Sequence, residues 1–144
     1  MVIKQLYGKV VFLDTAPLIY YIEGNSMFTG LLESIFIANK FGELRFVTST
    51  ITLLEVLVLP IRLKRFNIVS AYQNILTGSK FISVIDATQN IAVHAATLRA
   101  ECNLRTPDSI QIATYFDQRA DYFLTNDIRL KNIQNLNCLL ISDL

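Results

Sequence analysis

The sequence of 144 residues has few of the side chains that bind zinc or react as thiols. It contains one histidine, His94, and two cysteines, Cys102 and Cys138, whose positions do not match the ligand spacing of a zinc site. We interpret the cysteines as buried free thiols, and His94 as a structural residue because no motif places a partner beside it. These features argue against a zinc site and against His94 as a catalytic base.

Excess charge of one sign and long apolar runs are also missing. Thirteen Lys and Arg against twelve Asp and Glu give a formal charge of +1. A polyanion must therefore be bound by a local group of residues rather than by a generally basic surface. Although 52% of the residues are hydrophobic and the mean hydropathy is +0.40, polar residues break the apolar runs well short of the roughly 18 needed to span a bilayer. The first residues also lack the pattern of an export signal. We therefore expect a cytoplasmic protein without a membrane segment.

Five short β-prone runs alternate with helical patterns along the chain. The predicted strands cover residues 10–13, 44–48, 81–85, 122–125 and 137–141. This alternation indicates a parallel sheet with helices on both faces, which is a three-layer α/β architecture. The length suits a single domain, residues 1–144, and no repeat or linker divides it. Because the hydrophobic content is high for a small domain, we also expect a buried protein interface, most simply that of a homodimer.

Local signals set the expected limits of two helices. Glu55 lies in a helix that is expected to end near Pro60, because proline does not continue helical hydrogen bonding, and another helix is expected from residue 61. Asp108 lies in a helix for which we predict Thr106 as the N-cap and Pro107 as the first helical residue.

Four acidic residues are predicted to meet at one edge of the sheet. Asp14 and Asp127 directly follow the first and fourth strands, whereas Glu55 and Asp108 lie in the early turns of helices that begin at that edge. The carboxyl ends of parallel strands are where open α/β sheets bind ligands. Each acid alone is explained as well or better by helix capping or by the helix dipole. The four together are better explained by a shared site.

A cluster of carboxylates favours a bound cation. Neighbouring carboxylates raise each other's pKa values unless a positive charge neutralises them. Hard oxygen ligands suit Mg²⁺ or Mn²⁺, and one or two such ions can activate water and stabilise charge on a phosphoryl oxygen. Thr125 and Asn126 add a hydroxyl and an amide beside Asp127, to position water or phosphate or to form the turn. The pattern favours metal-assisted cleavage of a phosphodiester.

Four motifs occur in order along the chain: Phe-Leu-Asp14-Thr, Ile-Thr-Leu-Leu-Glu55-Val, Leu-Arg-Thr-Pro-Asp108-Ser-Ile-Gln-Ile-Ala-Thr and Leu-Thr-Asn-Asp127. In this order and spacing they resemble the PIN-domain ribonucleases, particularly the VapC-type toxins of bacterial and archaeal toxin–antitoxin pairs. The resemblance covers nearly the whole chain. Four motifs in order are far more specific than one.

The resemblance carries expectations for the fold, the site and the partners. It implies that Asp14, Glu55, Asp108 and Asp127 bind Mg²⁺ or Mn²⁺, and that Thr125 is the hydroxyl residue of the catalytic motif. It further implies a sheet order of 3-2-1-4-5, RNA as the substrate, a homodimer formed through helices, and a small antitoxin protein that occludes the acidic groove. Two departures are minor, since Ser109 and Gln111 stand where small or apolar residues are common.

Three alternatives to this interpretation differ in function. A response-regulator receiver would need adjacent acids after the first strand and a lysine after the last, and a dehalogenase-type phosphatase would need a second aspartate at Ala16; the sequence has none of these. A PIN-like domain that binds RNA or a protein partner without catalysis keeps the same fold. The complete set of four acids argues against it.

Overall fold

The computed structural model describes residues 3–144 and contains a central sheet flanked by helices. The five strands are β1 (Val10–Leu13), β2 (Arg45–Ser49), β3 (Ile82–Ile85), β4 (Tyr122–Thr125) and β5 (Cys138–Leu140). The six α-helices are α1 (Thr15–Glu23), α2 (Thr29–Lys40), α3 (Thr50–Arg62), α4 (Phe66–Gly78), α5 (Gln89–Cys102) and α6 (Thr106–Asp117). Short 3₁₀ turns cover Ile3–Leu6, Ile128–Asn132 and Ile141–Asp143.

The sheet has the order β3-β2-β1-β4-β5, and all four neighbouring pairs are parallel. The predicted fold class and strand order are therefore confirmed. The register aligns Phe12 with Val47 on one side and with Phe123 on the other. As a result β1, β2 and β4 present their carboxyl ends side by side, and this edge receives the first turns of α1, α3 and α6.

Alternating side chains of the strands supply two separate cores. Val11 and Leu13 of β1 pack with residues of α1, α2, α3 and α4, whereas Phe12 packs on the opposite face with α5 and α6. Phe12 and Phe123 stack there with ring centroids 4.9 Å apart. Because successive strand residues point to opposite faces, an uninterrupted apolar run fills both cores. Both faces of β1 are thus covered, which places this strand at the centre of the molecule.

The structure corrects one expected helix start. Helix α3 ends at Arg62, two residues beyond Pro60 and thus near the predicted end, because a proline in the last turn removes only one intrahelical bond. The following helix begins at Phe66 rather than at residue 61, after Lys64 adopts a left-handed φ of 55°. Within the described residues, no helix is long and apolar enough to cross a membrane.

The predicted N-cap of α6 is also wrong. The helix begins at Thr106 itself, and the N-cap position belongs to Arg105, whose side chain makes no capping bond. The Thr106 hydroxyl instead accepts a hydrogen bond from the guanidinium of Arg99 at 2.9 Å. Pro107 remains in the first turn, where its missing N–H costs nothing.

Candidate active site

A depression of about 370 Å³ lies at the carboxyl edge of the sheet. It is lined by the five residues singled out in the sequence, which are Asp14, Glu55, Asp108, Thr125 and Asp127. They come from four separate parts of the chain: the end of β1, the second turn of α3, the first turn of α6, and the end of β4 with the residues that follow it. The adjacency of β1 and β4 in the sheet brings the first and last of these segments together.

Asp14 is the most enclosed of the four acids and has two roles in the local structure. Its Oδ1 accepts from the Thr15 N–H at 2.8 Å and caps α1, while its Oδ2 accepts from the Thr125 hydroxyl at 2.7 Å. Loss of contact with water raises the pKa of Asp14, and the nearby charges of Asp108 and Glu55 raise it further. The hydrogen bonds from Thr125 and Thr15 act in the opposite direction. Asp14 therefore caps α1 and also lies with the other three acids in the depression.

Glu55 reaches the depression from the second turn of α3 and accepts a hydrogen bond from the first residue of α1. Its Oε2 accepts from the Thr15 hydroxyl at 2.7 Å, which ties α3 to the start of α1. A capping box involving Thr52 is not formed, because Ser49 caps α3 by accepting from the Ile51 N–H at 3.1 Å. Glu55 thus points into the acid cluster rather than back onto its own helix.

Asp108 and Asp127 are each paired with an arginine. Arg105 Nε donates to Asp108 Oδ2 at 3.0 Å, and Arg129 binds both carboxylate oxygens of Asp127, with the shortest distance 2.6 Å. The Arg129 backbone also donates to Asp127, which confirms a capping role for this acid. The hydrogen bond from the Arg129 guanidinium lowers the pKa of Asp127. Arg105 and Arg129 therefore place positive charges directly beside Asp108 and Asp127.

Thr125 connects the ends of β1 and β4. Its hydroxyl donates to Asp14 and accepts from the Asp127 N–H at 3.1 Å. The side chain is 1% exposed, so both bonds are shielded from water. One buried hydroxyl therefore fixes the carboxylate of Asp14 and the backbone that carries Asp127.

Gln111 supports the floor of the depression, a role that the sequence did not reveal. Its Nε2 donates to the Thr52 hydroxyl at 2.6 Å and, over 3.4 Å, toward Asp14 Oδ1, while its Oε1 accepts a short hydrogen bond from Ser49. The residue is 2% exposed. A usable signal was its position one turn after Asp108, which places it on the same helix face. Arg129, two residues after Asp127, was missed as well.

The remaining sequence candidates lie at the margins. The Asn126 amide donates to the Tyr20 hydroxyl at 3.1 Å, beside the acids. His94 is exposed on α5, contacts the ring of Phe116 in a tilted arrangement and does not line the acid depression. Cys102 and Cys138 are free thiols, as predicted, although each is only half-buried.

The acid depression fits a hard cation by its chemistry but is not a finished metal site. The charged oxygen atoms around it all belong to carboxylates, and burial is the main cause of the raised pKa of Asp14, to which the charges of Asp108 and Glu55 add. In residues 3–144, however, no three His, Cys, Asp or Glu side chains are grouped closely enough to hold an ion. Arg129 occupies both carboxylate oxygens of Asp127, which would have to release this arginine to join Asp14 and Glu55 as a ligand, whereas Arg105 occupies only one oxygen of Asp108.

Comparison with known proteins identifies the family and the fold of the chain. The sequence profile of the PIN domain matches residues 11–136, whereas no curated protein sequence is significantly similar to the chain. A chain of VapBC2 from Rickettsia felis, crystallised with a DNA fragment from their promoter, superposes with a TM-score of 0.71 and 19% identity, covering 91% of this chain and 98% of that one. A chain of a toxin–antitoxin complex from Klebsiella pneumoniae gives 0.68 and 22%, covering 94% and 99%. A chain of DNA-bound VapBC from Salmonella typhimurium gives 0.62 and 19%, covering 92% and 98%. At these identities the superpositions establish the fold.

Proposed function

The chain belongs to the PIN domain family, and we propose that it is a metal-dependent endoribonuclease that hydrolyses RNA phosphodiester bonds. One observation carries the proposal, namely that four acids from four chain segments line the same depression. Single acids at strand ends are common capping residues, but capping does not require that they face one another. A shared cation is the simplest reason for the arrangement.

In this proposal Asp14, Asp108 and Asp127 hold Mg²⁺ or Mn²⁺, with Glu55 directly or through water. The ion would supply positive charge beside a phosphoryl oxygen and would make water a stronger acid. The chain's own residues orient these groups. Thr125 fixes the Asp14 carboxylate through its hydroxyl, and Thr15 holds Glu55 by donating to Oε2. Glu55 is then placed to accept a proton from water at the edge of the depression.

We extend the proposal to the biological role of a VapC-type toxin. The superposition on chains of toxin–antitoxin complexes supports it, and a small antitoxin would then cover the acidic groove. A protein interface is also suggested by an exposed apolar stripe on α3, where Leu54, Val58 and Ile61 are 59%, 44% and 52% exposed. This stripe suits a homodimer contact or the antitoxin. A cytoplasmic location follows from this role.

The test is RNA cleavage by the purified protein in Mn²⁺, Mg²⁺ or EDTA. Asp14→Asn removes the charge at the centre of the cluster but keeps a side chain that can still cap α1, so the fold should remain. We expect cleavage in Mn²⁺ or Mg²⁺, none in EDTA, and a loss of at least about 100-fold in the variant. Asp86→Asn, an exposed aspartate before α5, is the matched control and should cut at the wild-type rate. A folded Asp14→Asn protein with wild-type activity would refute the assignment.

A second function is favoured by the arginine pairs. Because Arg105 and Arg129 neutralise two of the acids without a metal, the groove could bind RNA or a protein partner without cutting it. RNA binding that persists while no cation supports cleavage would establish this alternative.

A further inference from the structure

A second depression adjoins the acidic one. It has a volume of about 400 Å³ and lies between the end of α5, the start of α6 and the 3₁₀ turn after β4. The two depressions share Arg105, Asp108 and Asp127 as lining residues. They therefore form one continuous groove, in which the arginine-paired acids mark the boundary between the two halves.

The second depression has a mixed lining that suits a nucleobase. Leu104 and Ile133 are half-buried and give it an apolar wall, while the exposed side chains of Asn132 and Gln134 add amide donors and acceptors. Ligand sites commonly combine an apolar surface with a few polar groups in a volume of about 300 to 1,000 Å³. A single nucleotide fits this size and this chemistry.

The groove continues beyond this depression toward α5. A third depression shares Glu101, Cys102, Ile133 and Gln134 with the second and is also lined by His94 and Phe116. The rings of His94 and Phe116 lie with centroids 5.4 Å apart. Aromatic side chains in a groove can stack on bases of single-stranded nucleic acid. The surface thus provides a path for several nucleotides that ends at the acid cluster.

Arg105 and Arg129 are the two basic residues among those that line the acidic and second depressions. Their side chains are both 72% exposed, whereas those of Asp108 and Asp127 are 22% and 25% exposed. Exposed ion pairs contribute little net stability, so these arginines can leave their carboxylates at small cost. The planar guanidinium binds phosphate with two parallel hydrogen bonds as readily as it binds a carboxylate.

The negative charge of the acid depression explains why an exchange of carboxylate for phosphate by the arginines would help RNA to bind. A phosphate that approaches the acids meets four carboxylates, and with a net charge of +1 the rest of the chain offers little general attraction. Arg105 lines both depressions and Arg129 lines the second, each beside the acid with which it is paired. Both guanidinium groups therefore border the boundary between the two halves of the groove, where a phosphate chain would pass.

We infer that the second depression is a nucleotide subsite, in which Arg105 and Arg129 exchange their carboxylate partners for phosphates of an RNA strand that leads into the acid cluster. The inference rests on the proposed function and names how its substrate is held. When RNA binds, each arginine leaves its carboxylate partner for a phosphate. The same movement frees Asp108 and Asp127.

The test is binding of a short, labelled single-stranded RNA of mixed sequence in EDTA, where neither a metal nor cleavage contributes. The variants are Arg105→Gln and Arg129→Gln, with Arg62→Gln as the matched control because Arg62 is exposed at the end of α3, outside the groove. Each groove variant should weaken binding about tenfold, as expected for a lost hydrogen bond to a charged group. Each should also reduce the slope of log affinity against log salt by about 0.7, as expected for one lost phosphate contact. Arg62→Gln should change neither quantity.

A double variant separates phosphate binding from simple neutralisation. If Arg129 only cancels the charge of Asp127, then Asp127→Asn combined with Arg129→Gln will recover wild-type affinity, and the inference is overturned. If Arg129 binds phosphate, the double variant stays weak. The inference also fails if RNA does not bind in EDTA, or if Arg62→Gln weakens binding as much as the groove variants do. Circular dichroism of each variant checks that the fold is unchanged.

This test is independent of the test for catalysis. Should Asp14→Asn abolish cleavage while the groove variants bind RNA like the wild type, the nuclease stands and the subsite is wrong. Should binding depend on both arginines while no metal supports cleavage, the subsite stands and the enzyme assignment is wrong.

Discussion

Replacing Gln111 by methionine tests whether the polar floor beneath the acids stabilises the protein. Methionine keeps the length of the side chain but removes the acceptor for Ser49 and the donor for Thr52 and Asp14. A buried polar group left without its partner costs about 1 to 3 kcal/mol. Ser49 still accepts from the Ile51 N–H, and Thr52 lies 3.3 Å from the Thr15 hydroxyl, so part of the loss is recovered. We expect the free energy of unfolding to fall by about 2 to 4 kcal/mol.

The measurement is urea unfolding followed by circular dichroism, with thermal unfolding as a second readout. For a domain of this size the expected loss corresponds to a decrease in Tm of roughly 5 to 15 °C. Gln89→Met is the control, because Gln89 is exposed at the start of α5 and the same amide is removed there. That variant should remain within about 0.5 kcal/mol of the wild type.

A companion variant, Gln111→Glu, separates shape from hydrogen bonding. It preserves the acceptor for Ser49 but turns a donor toward Asp14 into a second carboxylate, which repels the first. At neutral pH it should be at least as destabilising as Gln111→Met. A loss below about 0.5 kcal/mol in both variants would show that water replaces the amide without cost, and the account of the polar floor would be wrong.

Three further substitutions test the fold outside the acid depression. Gly42 has a φ of +77° and a Cβ there would lie 2.8 Å from Cζ of Phe81, so Gly42→Ala should destabilise the protein by about 1 to 3 kcal/mol in urea unfolding. Gly30→Ala, in α2 with nothing within 4 Å of the added carbon, should stabilise it by roughly 0.5 to 1 kcal/mol, and equal effects of the two would contradict this reasoning. The buried Tyr72 donates to Glu23, and burial raises the pKa of its hydroxyl above the ordinary value of 10.0. The unfolded chain therefore loses this proton first, stability declines as the pH rises above about 10, and Tyr72→Phe should show a shallower decline in unfolding measured against pH; an identical slope would rule out this contribution.

The sheet could be predicted from sequence because its signals are local. The apolar run that forms β1 ends in Asp14, and the run that forms β4 ends in Thr125 and Asp127, so alternation with helices was enough to place these acids at one edge. Capping was predictable for Asp14, which accepts from the Thr15 N–H at 2.8 Å, but not for α6, whose N-cap position belongs to Arg105. The start of α4 at Phe66 was not predictable, because the turn before it places Lys64, rather than a glycine, in the left-handed region.

The supporting residues of the site could not be predicted because their partners are distant in sequence. Gln111 binds Ser49 and Thr52 across 62 and 59 positions, and no spacing rule connects them. The pairing of Arg105 with Asp108 has ordinary helix spacing, yet the same spacing occurs on solvated helix faces. Only the groove that both residues line distinguishes this pair from a surface ion pair.

The position of β4 in the sheet governs when the site can exist during synthesis. Asp14 is made early, but the strand beside it comes much later, since Thr125 binds Asp14 across 111 positions and the Asp14 N–H donates to Leu124 at 3.1 Å. A nascent chain that has not yet reached β4 contains β1 and β2. It lacks the pairing of β1 with β4, and it lacks Thr125 and Asp127. Such a fragment has no acid cluster. We therefore expect the acid depression to form only after the final strands have emerged.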